Sequence, residues 1–198
     1  MPLNSGNNSP SILVNSRTRL LHSGKQLIQR WCNLNAVSSP KVEEMPGNRP
    51  DFGVCAYYRD NTIFIWPNAC ALIGVAGRSW SYPGYVVDRT PYGVLAHELG
   101  HHTEGAHGTQ GGIVAKAWRH ETGEAPLTGY CPNDNEWFAE IFRLFVTNPE
   151  LLSLLRPKMY VLLNKRWPNH AEHRLWNQVL ASAPRQIKAA QNKIAKIK

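Results

Sequence analysis

Between Val94 and Gly108 the chain reads VLAHELGHHTEGAHG, which gathers His97, His101, His102 and His107, half of its eight histidines, into one short stretch. His97, Glu98 and His101 form the pattern H-E-x-x-H. On an α-helix, residues four apart stand one above the other, so two imidazoles at this spacing reach one metal ion from a single face. A catalytic zinc takes three protein ligands and keeps a further position for water or substrate. Glu98 follows the first of the two histidines and stands beside that water as a general base, taking its proton and later handing it to a leaving amine. The chemistry implied is metal-assisted hydrolysis of a peptide bond. The plain alternative is two surface histidines on an ordinary helix.

Such a centre needs a third ligand, and two candidates stand open. His107 falls at the last histidine of the metzincin pattern H-E-x-x-H-x-x-G-x-x-H. The glycine of that pattern turns the chain at positive φ, yet Glu104 holds its place and glycine comes one residue late, at Gly105. Met159 and Tyr160 offer a methionine turn, although PKMYVLL reads as core. The distant candidate is Glu136. In NEWFAEIFRLF, Glu136 and Glu140 are four apart and share a helix face. Carboxylates on the inner edge of an otherwise apolar helix need compensation, because burying an unpaired charge is costly. An ion bound by Glu136 supplies it, with Glu140 accepting a hydrogen bond from the second nitrogen of a ligand histidine. A solvated acidic pair near a helix N-terminus, where the helix dipole favours acids, is the competing explanation.

H-E-x-x-H followed by a helix carrying E-x-F-A-E resembles the gluzincin class of zinc metallopeptidases. The form EWFAEIFRLF is similar to the catalytic domain of anthrax lethal factor and related peptidases, and to the aromatic-rich helix of the Mlc titration factor A group. The resemblance covers the two motif helices and the hairpin before them. It implies a zincin-like fold and a zinc-dependent endopeptidase, a hydrolase acting on protein or peptide substrates. His97, His101 and Glu136 become the zinc ligands, Glu98 the general base and Glu140 a supporting partner. Tyr130, six residues before Glu136 in LTGYCPND, takes the role of supporting the oxyanion of the tetrahedral intermediate. His120 is an alternative for that role, and His102 and His107 are left as bystanders or substrate-side groups.

The elements that must position these residues follow from pattern and punctuation. Residues 1–15, rich in Asn, Ser, Gly and Pro, read as a flexible lead-in, and residues 16–182 as the peptidase domain. Leu20, Leu21, Leu27, Ile28, Trp31 and Leu34 share one face of a helix starting near Ser16. SSPKVEEMPGNRP reads as a connector. DFGVCAYYRDNTIFIWP reads as a hairpin whose second strand, Thr62 to Trp66, is expected as an edge for a substrate strand. Residues 68–88 read as an irregular excursion beside the site. Thr90-Pro91 opens the histidine helix, expected to run to about His102. IVAKAWRHETGEAPLTGY reads as a linking stretch, Asn133 or Asp134 caps the glutamate helix, and Asn148-Pro149 starts another. The predicted class is α+β, with a small antiparallel sheet beside the H-E-x-x-H helix, the glutamate helix across it, and extra helices at both ends.

At 198 residues and 42% hydrophobic content the chain builds a core without disulfide staples. Four cysteines without a C-x-x-C pair argue against a cysteine zinc site or a redox motif, and their even number permits disulfides without requiring them. With 22 basic and 14 acidic residues the formal charge is +8, and Arg185, Lys188, Lys193, Lys196 and Lys198 concentrate part of it in a basic C-terminal helix, residues 183–198. That helix offers a contact for nucleic acid or another acidic surface, so a nucleic-acid-associated protein is the second functional expectation. No basic segment followed by an apolar run marks an export signal, and no stretch approaches a membrane span, so the cytoplasm is the expected compartment.

Overall fold

Leu20, Leu21, Leu27, Ile28 and Trp31 recur at helical spacing, and in the computed structural model they line the buried face of helix α1, Pro10–Leu34. The structure describes residues 10–47, 55–70, 89–105, 113–127 and 133–170. α1 starts before the expected Ser16, with Pro10 in first position, where its missing N–H is no loss. Leu34, expected on the buried face, is 49% exposed because the helix stops there. Ala36 adopts a positive φ of 52°, and the Val37 N–H bonds the Cys32 carbonyl at 3.0 Å, which closes the helix with a Schellman turn.

KVEE, expected as part of a connector, is instead strand β1, Lys41–Glu44. Strands β2, Ala56–Arg59, and β3, Thr62–Ile65, form the expected hairpin. Asp60 and Asn61 between them have φ of 49° and 59°, the paired positive values that let a two-residue turn follow the twist of the strands. The sheet order is β1-β3-β2, with β1 parallel to β3 and β2 antiparallel to it. The sheet is therefore mixed rather than antiparallel, and β3 lies in its centre. The expected use of Thr62–Trp66 as a free edge fails for that reason: both sides of β3 already pair.

Ile63 and Ile65 turn fully buried side chains into the core shared with helix α2, Pro91–Gly105. α2 begins as its sequence requires, the Thr90 hydroxyl accepting from the Gly93 N–H at 3.5 Å and the Thr90 carbonyl from the Val94 N–H at 3.0 Å. It packs against α1, β2, β3 and helix α4, Asp134–Thr147. Two glycines permit these approaches. A Cβ at Gly24 of α1 would meet Leu95 Cδ1 at 2.7 Å, and one at Gly100 of α2 would meet Ala139 Cα of α4 at 2.8 Å.

Helix α3, Ile113–Thr122, occupies part of the stretch expected to link the motif helices. Helices α5, Pro149–Leu155, and α6, Pro157–Arg166, follow α4. Trp137, Phe138, Ile141, Phe142 and Phe145 of α4 are all buried, as their spacing requires, and Met159 is core. Phe142 meets Trp31 edge-on at 5.0 Å and Trp167 at 5.6 Å, joining α4 to α1 and to the chain after α6. Each such side chain contributes about 1.5–3 kcal/mol through burial. Among the described residues the architecture is α+β, six helices around a small mixed three-stranded sheet. No described helix is long and apolar enough to cross a membrane. The basic segment 183–198 lies outside the described residues.

Candidate metal centre

His97 and His101 project from α2 toward α4, where Glu136 and Glu140 stand on successive turns. The Gly100–Ala139 approach brings the two backbones close enough for these short side chains to meet. His97 Nε2 lies 3.1 Å from Glu136 Oε2, and His101 Nε2 lies 3.5 Å from Glu136 Oε1. One ligand atom from each of His97, His101 and Glu136 can be chosen so that all fall within 4.8 Å of one another.

The donor set fits a divalent transition ion. Ligands held at about 2.0–2.1 Å on a tetrahedral zinc stand roughly 3.3 Å apart. The two imidazole–carboxylate separations bracket that value. Two nitrogens and one carboxylate oxygen also match the composition of a catalytic zinc site with one position left for water or substrate. His97 is buried, and His101 and Glu136 are partly exposed, so the cluster opens on one side.

The other nitrogen of His97 is held from behind. Nδ1–H donates to Glu140 Oε1 at 2.8 Å, and Arg143 Nη2 donates to Glu140 Oε2 at 2.6 Å. This bond commits Nδ1 to donating and leaves Nε2 to face Glu136, as a proton donor to its carboxylate or as the nitrogen offered to an ion. Glu140 and Arg143 are themselves buried, at 3% and 8% exposure, so neither charge is left to solvent and each serves as the other's partner. Burial alone would push the His97 imidazole down, but hydrogen bonds to Glu136 and Glu140 overturn that and raise it to about 10. Burial also works against ionised Glu136, yet hydrogen bonds from His101 and His97 lower it to about 2. Without an ion, a proton shared along His97 does the work of a cation between two carboxylates.

Glu98 is buried on the same helix, where its carboxylate accepts the backbone N–H of Tyr58 in β2. Burial raises its carboxyl above the ordinary value, against the pull of His97 and His101. A carboxylate so placed holds a proton more readily than a solvated one, which is what a group that takes and returns protons requires.

The structure thus brings together His97, His101, Glu136, Glu98 and Glu140. Tyr130 and His107 lie outside the described residues. His102 is no substrate-side group. It is buried, Nε2–H donating to the Ser38 carbonyl at 2.6 Å while Nδ1 accepts from the Tyr58 hydroxyl at 3.3 Å, and it ties α2 to β2 and to the turn after α1. Glu104, at the metzincin glycine position, lies within α2 and accepts the Ala115 N–H in the first turn of α3. His120 is exposed near the end of α3.

Three contributors escaped the sequence reading. Arg143 carried a signal, since it stands three residues after Glu140 at the spacing of a helical ion pair. Gly100, inside H-E-x-x-H, carried a weaker one, because a helix-interior glycine needs a packing reason. The Tyr58 N–H carried none, because a backbone donor is set by register alone.

No protein-family model, curated protein or solved structure matches the chain.

Proposed function

We propose that the chain is a zinc-dependent peptidase whose ion is held by His97, His101 and Glu136. The observation that carries this reading is the placement of both Nε2 atoms at ligand-to-ligand distance from one carboxylate, with Glu98 buried on the same helix. Bound there, zinc supplies Lewis acidity toward a carbonyl oxygen and lowers the pKa of water toward about 7. Glu98 takes the proton of the attacking water on its carboxylate and passes it to the departing amine. Glu140, charged and braced by Arg143, keeps His97 in the Nδ1–H form. Tyr130 supplies a hydroxyl to the oxyanion in this proposal.

Substrate main chain has a natural place along β2 rather than β3. Trp66 N–H bonds the Cys55 carbonyl at 2.8 Å, so Cys55 and Trp66 form a bonded pair and alternate residues of β2 turn their backbone groups outward. Those residues are Ala56 and Tyr58, and the outer Tyr58 N–H reaches Glu98. A peptide strand laid on this edge beside Ala56 would run past Glu98 and bring a scissile carbonyl near the His97, His101 and Glu136 cluster.

Metal content of the purified protein tests the ligand set. Glu136→Ala should lose zinc and His107→Ala should keep it; the reverse result would replace Glu136 with His107. Glu98→Gln should retain zinc and lose peptide hydrolysis by at least about a hundredfold, the scale of a general base. Full turnover in that variant would remove Glu98 from the mechanism.

A further inference from the structure

Cys55 and Cys70 are separated by the whole β2–β3 hairpin, yet their side chains meet. The pairing of Cys55 with Trp66 sets the first cysteine opposite the end of β3. A single 3-10 turn, Pro67–Ala69, then folds the second back, its N–H reaching the Pro67 carbonyl at 3.3 Å. The Cys70 thiol donates to the Trp66 carbonyl oxygen at 3.6 Å, and its sulfur lies within hydrogen-bonding reach of the Cys55 sulfur. Both residues are buried, at 9% and 3% exposure, and both carry reduced thiols. The neighbouring Cys70 draws the Cys55 thiol below its ordinary value against the effect of burial, with Arg89 adding to the pull and Glu98 opposing it. Cys32 differs: burial pushes its thiol up to about 11, and a hydrogen bond with Ser39 offsets this only in part. One cysteine pair therefore places a candidate nucleophile beside a candidate resolving partner, while Cys32 has no such neighbour among the described cysteines.

We propose that Cys55 and Cys70 are a reversible thiol–disulfide site oxidised by hydroperoxides. The Cys55 thiolate attacks the peroxide O–O bond, giving the sulfenic acid and releasing hydroxide or alkoxide, which takes a proton to leave as water or alcohol. The Cys70 sulfur then attacks the Cys55 sulfur, the S–O bond breaks, and water departs with the Cys70 proton. In sum, two thiols and one hydroperoxide give one disulfide, one water and one water or alcohol. A dithiol reverses the change by exchange. The burial of both sulfurs selects a small oxidant over a bulky one. The disulfide would fasten the start of β2, the strand whose Tyr58 N–H meets Glu98, to the end of the turn after β3. None of this chemistry depends on the zinc reading.

The test uses the full chain carrying Cys32→Ser and Cys131→Ser, treated with hydrogen peroxide and followed by thiol titration and non-reduced peptide mapping. Both remaining thiols should disappear together, the intact mass should fall by two hydrogens, a peptide linking Cys55 to Cys70 should form, and dithiothreitol should restore both thiols. With Cys70→Ser added, Cys55 should persist as a sulfenic acid that dimedone traps. If the double-serine protein fails to fold, the same map on the wild-type chain distinguishes the linked pair by peptide mass. Thiols that survive peroxide, a Cys55 that runs on to sulfinic acid with Cys70 intact, or a disulfide only between chains would each overturn the proposal.

Discussion

His97 has a carboxylate at each ring nitrogen, and this arrangement has consequences for how protons and metal compete. In the metal-free protein the raised value of His97 contributes stability that is fully present below its unfolded value near 6.5 and is lost as pH climbs through about 10. Glu98, raised by burial, also gives stability that is lost as pH rises. Glu136, held near 2, contributes stability present above its unfolded value near 4.5 and lost as pH falls toward 2. The metal-free protein should therefore show a melting temperature that falls between about pH 6.5 and 10, and also below about pH 4.5. If zinc binds as proposed it replaces the proton between His97 and Glu136, so saturating zinc should flatten the alkaline fall. Melting curves with chelator and with zinc across this range check both limbs; an alkaline fall unchanged by zinc would separate the ion from His97.

Arg143 belongs to the same network one bond further out. Arg143→Met leaves Glu140 buried with half of its support, which should weaken zinc binding by roughly 10- to 100-fold, the usual effect of losing a partner behind a ligand. Arg143→Lys should recover part of the loss because the charge survives. Competition with a zinc chelator reads both variants; equal weakening by Met and Lys would assign Arg143 a packing role.

Among the elements, the crossing of α2 and α4 sets the centre, and Gly100 sets the crossing. Ala favours a helix over Gly by about 1 kcal/mol, so Gly100→Ala on an open helix would stabilise the protein. Here the added methyl would stand 2.8 Å from Ala139 Cα, a backbone atom that cannot swing away. Overpacking of this kind costs about 1–3 kcal/mol, so the net effect should be destabilising or near neutral. The helices must part to admit the methyl, so zinc affinity should fall more than stability does. Denaturant unfolding beside chelator competition separates the two; unchanged zinc affinity would show that the crossing has slack.

The same scale explains which elements were legible. α2 and α4 announced themselves because local signals agreed: Thr90-Pro91 and Asn133 at the starts, and a wide aromatic face in α4. Asn133 accepts the Glu136 N–H at 2.9 Å, a cap readable from sequence. α3 was not legible because its first turn draws on Glu104, from the preceding helix. α6 was legible as a helix in MYVLLNKRWP but its start was not, because that start draws on Glu124, whose carboxylate accepts the N–H groups of Lys158 and Met159 at 3.0 and 2.9 Å, while its own cap residue, Arg156, supplies none. Remote caps leave no local pattern. β1 was missed because four residues with one apolar side chain show no period, and its parallel pairing depends on the position of β3. The cluster of His97, His101 and Glu136 was legible in part: helix spacing pairs the two histidines of H-E-x-x-H, while Glu136 was singled out over His107 by the resemblance.

For the molecule as a whole, the centre and the core share their supports. Trp31 of α1, Phe142 of α4 and Trp167 beyond α6 form one aromatic cluster, and Phe142 lies two residues after Glu140 on the helix that carries Glu136. Leu95 and Leu99, fully buried, flank His97 on α2. Unfolding of this core therefore scatters the three proposed ligands, and an ion that binds only the assembled set would stabilise the whole fold by mass action. Zinc at one hundred times its dissociation constant adds about 2.7 kcal/mol, less whatever the unfolded histidines and cysteines bind. For a chain of this size each kcal/mol raises the melting temperature by about 2–4 °C, so the shift should be roughly 5–10 °C. His101→Ala removes a partly exposed proposed ligand and one of the two imidazoles that hold Glu136, so its metal-free melting temperature should fall modestly while the zinc-dependent rise disappears. Differential scanning calorimetry on parent and variant, with and without zinc, reads both quantities. A rise of equal size in both proteins would place the stabilising ion somewhere other than the α2–α4 crossing.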